Sequence, residues 1–161
     1  MIILVMGVSG SGKTTIGQLL AASLHWEFQD ADSFHSPENI AKMQHNIPLT
    51  DADRMPWLQN LQTAIAQWLQ ENKNVVMACS ALKASYRQFL LLDCDRIKIV
   101  YLNGSFELIQ QRLQTRHNHF MTEKLLNSQF DVLEEPENAL YMDVSEPPPI
   151  IVQNITTALG I

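Results

Sequence analysis

The run IILVMGVSGSGKTTIGQLLAASL, residues 2–24, decides how the chain is to be read. Ile2 to Met6 are apolar without a break, the pattern of a strand buried on both faces. From Gly7 to Thr14 every position satisfies G-x-x-x-x-G-K-[ST], and a helical pattern then runs to about Leu24. Strand, glycine-rich loop and helix in that order give the spacing a mechanical meaning. The backbone from Gly7 through Val8, Ser9, Gly10, Ser11 and Gly12 is expected to turn its N–H groups into one concavity, and the helix presents its positive end to the same phosphates. Lys13 is expected to reach the outer phosphates and to act in catalysis. Thr14 offers a hydroxyl to Mg²⁺, and Thr15 can donate to an inner phosphate. The predicted partner is therefore a nucleotide such as ATP.

Working outward, short apolar runs alternate with longer helical patterns. The runs are Ile2–Met6, Trp26–Asp30, Val75–Cys79, Ile97–Leu102 and Leu140–Val144. Helices are predicted near 37–44 and 54–71, from Ala81 to about Leu92, from Ser105 to about Thr115, near 122–128, and from Ile150 onward. Such alternation predicts a three-layer α/β/α fold, a parallel sheet covered by helices on both faces. Trp57, Leu58, Leu61, Ile65, Trp68 and Leu69 trace one face of the longest helix and read as core.

The phosphate loop alone leaves the reaction open. Guanine recognition in such proteins rests on N-K-x-D, and the Asn72-Lys73 pair lacks the Asp, which disfavours a GTPase. The third strand ends in Met77-Ala78-Cys79-Ser80, with no acid to hold Mg²⁺. The second ends in Asp30-Ala31-Asp32-Ser33-Phe34-His35, so two carboxylates emerge at the edge of the sheet where ligands of open α/β folds bind. Either could take the proton of an attacking hydroxyl. Lys83 and Arg87, four apart on the helix after the third strand, share a face. By themselves they read as a solvated edge.

With 161 residues, 46% hydrophobic and 17% charged, the chain suits one globular domain, residues 1–161. A net charge of −6 argues against nucleic acid as a partner. Two cysteines without metal-ligand spacing fit a reducing compartment, and no signal peptide or membrane span is legible, so a cytoplasmic location is expected.

A set of motifs in order along the chain resembles bacterial gluconate kinase, a family of P-loop small-molecule kinases. These are GVSGSGKT, DADSFH (30–35), NIAKM (39–43), PLTDADRMPWL (48–58), CSALKASYR (79–87), RHNHF (116–120) and QFDVLEEP (129–136). The resemblance implies a nucleoside-monophosphate-kinase-like fold with five parallel strands and a lid at about 116–128. It implies phosphorylation of D-gluconate at its 6-hydroxyl by ATP with Mg²⁺, and members often form homodimers. Carried over to this sequence, Asp32 is the base; His35, Arg54, Lys83 and Arg87 surround gluconate; Arg116 in the lid faces the nucleotide and His119 the substrate. Asn118 stands where the family commonly has glycine. Lys13, Arg54, Lys83, Arg87, Arg112 and Arg116 would then concentrate positive charge at one cleft of an acidic protein, as ATP and a sugar acid require. Arg112 could instead pair with Glu107 or Glu134. Shikimate kinase and an ATP-binding regulatory protein are the competing readings.

Overall fold

Strand β1, Ile2–Met6, is buried along its whole length, and its side chains alternate between two cores. The computed structural model describes residues 1–115 and 123–161. On one face of the sheet Ile2, Leu4 and Met6 pack with Trp57, Leu61 and Ile65; on the other Ile3 and Val5 pack with Ile16, Leu20, Ile109 and Ile151. Among the described residues five strands pair, all parallel. β1 lies between β3 (Val75–Ala78) and β4 (Ile97–Asn103), with β2 (Glu27–Asp30) beyond β3 and β5 (Leu140–Asp143) beyond β4. The chain leaves β1 toward one side of the sheet and β3 toward the other, so a crevice opens at their carboxyl ends.

Helices α1 (Lys13–Leu24), α5 (Phe106–Gln114), α6 (Glu123–Val132) and α7 (Pro148–Leu159) cover the face of Ile3 and Val5. The opposite face carries α3 (Asp51–Gln70) and α4 (Ala84–Leu90); α2 (Pro37–Gln44) precedes α3. The phosphate loop closes tightly onto α5. Gly10 has φ 82, and a Cβ there would sit 2.9 Å from Leu113 Cδ2, so both backbone and space demand glycine.

The helix boundaries differ from the sequence expectation for local reasons. α3 starts at Asp51 rather than near 54, because Thr50 and Asp53 form a reciprocal capping box: Asp53 N–H donates to Thr50 Oγ1 (3.1 Å) and Thr50 N–H to Asp53 Oδ2 (3.0 Å). α7 starts at Pro148 rather than Ile150, since prolines fit the first turn, where no N–H needs a partner. α4 is confined to Ala84–Leu90 because Ala81 takes a left-handed conformation (φ 42) and Lys83 becomes the N-cap. α6 runs on past 128 to Val132. Of the expected lid, residues 116–122 lie outside the described residues, while 123–128 begin α6. Among the described residues no helix is long and apolar enough to cross a membrane.

Candidate active site

The phosphate loop divides two hollows at the carboxyl edge of the sheet. Ser9 and Lys13 face a cavity of about 260 Å³ that also takes in Asp32, His35, Arg54, Trp57, Lys83 and, from α6, Leu125 and Gln129. Gly10, Ser11, Gly12 and Thr15 face a smaller hollow with Arg112, Glu146 and Pro148. Thr14, exposed in the first turn of α1, lies between these loop residues. Lys13 Nζ donates to Val8 O at 3.1 Å, which keeps its charge over the loop.

The two acids after β2 have separate tasks. Asp30 Oδ1 accepts from Asp32 N–H (3.0 Å) and so caps the 3-10 turn Ala31–Phe34, whereas Asp32 lines the cavity. Asp32 is reachable by solvent through the cavity mouth, but the surrounding walls are close. This loss of hydration pushes its pKa above the ordinary 3.8; the Asp30 charge adds to the rise and Lys13 opposes it.

His35 stacks on Trp57 with ring centroids 4.4 Å apart, and Trp57 Nε1 anchors the pair by donating to Ala31 O (2.7 Å). Buried Asn39 directs its Nδ2 at Asp53 O (2.8 Å) and at His35 Nδ1 (3.3 Å). An amide nitrogen can only donate, so Nδ1 accepts and the ring proton belongs on Nε2. Burial, then the nearby Arg54 charge, lowers the His35 pKa to about 4, and the ring is neutral at physiological pH.

Four residues from two segments far apart in sequence meet beside the same cavity. Lys83 Nζ pairs with Asp51 Oδ1 at 2.8 Å, the Tyr86 hydroxyl donates to the same carboxylate, and Arg54 Nη1 donates to Tyr86 OH at 3.1 Å with its guanidinium over the ring. The hydrogen bond to Asp51 holds the Lys83 pKa above its ordinary value, so it stays a cation.

A phosphate loop, a carboxylate at the junction and cations beyond it form a phosphoryl-transfer cleft, and the shikimate kinase family model matches residues 9–154. The chain belongs to the shikimate kinase family of P-loop kinases. Within that family it is similar to gluconokinases. A probable gluconokinase of Mus musculus is 43% identical, over 98% of this chain and 97% of its own. The thermosensitive gluconokinase of Escherichia coli is 44% identical over 83% of this chain and 72% of its own. The crystal structure of a gluconokinase from Sinorhizobium meliloti superposes with a TM-score of 0.87 at 41% identity, covering 98% of this chain and 90% of that one. Shikimate kinase from Aquifex aeolicus, at 18% identity and a TM-score of 0.60, shares the fold alone.

Of the residues expected in this kinase site, Lys13, Asp32, His35, Arg54 and Lys83 line one cavity. Arg87 does not join them. Its buried guanidinium donates to Ala81 O (2.8 Å), Leu82 O (3.1 Å) and Glu134 O (2.7 Å), so it braces the loop before α4 against the end of α6. Lys83 is the cap of α4 rather than part of its body, and its Nζ pairs with Asp51 while the Arg87 guanidinium turns to backbone carbonyls. Arg112 pairs with neither Glu107 nor Glu134; it donates to Val144 O beside the smaller hollow. Arg116 and His119 lie outside the described residues. Asp51, Tyr86 and Gln129 were missed. Each sits in a quoted motif, but nothing in their spacing announces the contacts they make across 32 to 120 residues.

Proposed function

We propose that this chain transfers the γ-phosphoryl group of ATP to the 6-hydroxyl of D-gluconate, giving 6-phospho-D-gluconate and ADP. The observation that carries the reading is one cavity lined by Lys13, Asp32, Arg54 and Lys83, in a chain 40–45% identical to several gluconokinases. The cations suit a carboxylate, Arg54 by its planar fork and Lys83 as a point charge. His35 Nε2–H can donate to a hydroxyl of the polyol. Asp32 takes the proton of the 6-hydroxyl while the oxygen of that hydroxyl bonds to the γ-phosphorus. The bond to the β–γ bridging oxygen breaks, and its electron pair leaves with ADP. Lys13 offsets the charge on the transferred group.

The residues present fit Mg²⁺. Among the described residues no three His, Cys, Asp or Glu cluster as a protein cage, and the exposed Thr14 hydroxyl beside the loop suits a hard ion held largely by phosphate oxygens. Bound there, the ion supplies charge neutralisation of the phosphates. Two free cysteines, Cys79 and Cys94, suit a reducing cytoplasm as the place of the reaction.

A coupled assay of ADP formation with gluconate, with shikimate and without acceptor tests the reading. Turnover should require gluconate. Equal rates without acceptor, or a preference for shikimate, would overturn it.

A further inference from the structure

Helix α6 reaches the phosphate loop through one side chain. Gln129 Oε1 accepts from Ser9 N–H at 2.8 Å, and Gln129 Nε2 donates to Ser9 Oγ at 3.2 Å. The amide orientation is unambiguous, because a backbone N–H can only donate and so must face the oxygen. Gln129 is half-buried, and Leu125, Ser128 and Val132 of the same helix also line the acceptor cavity. Ser9 and Lys13 are the loop residues that line this cavity together with Asp32, so Ser9 borders the space in which the group would be transferred.

A serine hydroxyl has one proton and two lone pairs. Gln129 Nε2–H faces the Ser9 oxygen, and Gln129 Oε1 is turned to the Ser9 N–H, so the contact between the two side chains uses a Ser9 lone pair and not its proton. The proton is left for an acceptor in the cavity. We infer that Gln129 is a positioning residue for phosphoryl transfer, orienting the Ser9 hydroxyl so that Ser9 Oγ–H donates to an oxygen of the phosphoryl group in flight. The inference rests on the kinase reading above. It adds a donor that acts where charge develops, which bears on kcat more than on ground-state binding.

Single-turnover and steady-state kinetics of Ser9→Ala, Gln129→Met and the double variant test this on the full chain, with thermal melts as a fold check. Ser9→Ala and Gln129→Met should each lower kcat by about 10-fold or more while KM for ATP and gluconate stays within about threefold. In the Ser9→Ala background Gln129→Met should cost little further, since no hydroxyl remains to be oriented. If Gln129 merely holds α6 against the loop, its effect persists in that background, because the Ser9 amide contact survives the alanine; this result would overturn the inference. So would a Ser9→Ala enzyme with parental kcat, even if Gln129→Met fails to fold. A parent inactive on gluconate would instead sink the kinase reading itself.

Discussion

Asp30 and Asp32 are two residues apart, yet one caps a turn and the other lines the cavity. Asp32→Asn keeps the volume but cannot take a proton, so kcat should fall by about 10²–10⁴ while ATP binding, read by titration calorimetry, is preserved. The base must be ionised, and its pKa is raised; kcat/KM should therefore decline on acidification at a pH above the ordinary carboxylate value of 3.8. Asp30→Asn keeps the capping oxygen and removes a negative neighbour, so it should move that acid limb to lower pH. A limb that stays in place would show that Asp32 does not set it. His35, already neutral above about pH 4, should add no limb near neutrality. Arg54→Ala should raise KM for gluconate by about 10 to 100-fold and leave KM for ATP nearly unchanged. Lys13 and Asp32 were marked out by the phosphate-loop spacing and the end of the second strand, whereas His35 and Arg54 entered only through the family resemblance, because no local spacing singles them out.

At the scale of elements, the acceptor end depends on how α4 and α6 are tied together. Glu134 N–H donates to Leu82 O (2.8 Å), Ala84 N–H donates to Glu134 Oε1 (3.2 Å), and Arg87 donates to the Glu134 carbonyl. These bonds clamp the residues on both sides of Lys83. Arg87→Ala would strip donors from three carbonyls, two of them bound through buried atoms, and should cost about 1–3 kcal/mol. Urea unfolding would show this as a lower midpoint, with KM for gluconate altered far less than by Arg54→Ala. A selective rise in gluconate KM at full stability would return Arg87 to the substrate site. Helical spacing could not reveal this role. A face shared at i and i+4 exists only if both residues lie within the helix, and the left-handed Ala81 shifts the start of α4 past Lys83.

For the whole molecule, ligands that enter the two hollows bind only the folded chain and should stabilise it. At a hundred times Kd each adds about 2.7 kcal/mol. ATP with Mg²⁺ should raise the melting midpoint of both the parent and Arg54→Ala, whereas gluconate should raise that of the parent alone; equal gluconate shifts in both would remove Arg54 from the acceptor site. The sequence by itself determined the alternation of buried strands and amphipathic helices, the phosphate loop and its polarity, and the carboxyl edge as the place of chemistry. These depend on local periodicity and on a loop whose defining motif lies within eight residues, Gly7 to Thr14. Only the tertiary structure decided which cation lines the cavity and which braces the fold. It alone brought Asp51 to Lys83 and Tyr86, and Gln129 to Ser9. Those pairings join side chains of different elements, and their partners are selected by the packing of α3, α4 and α6 around the sheet, which no spacing along the chain encodes.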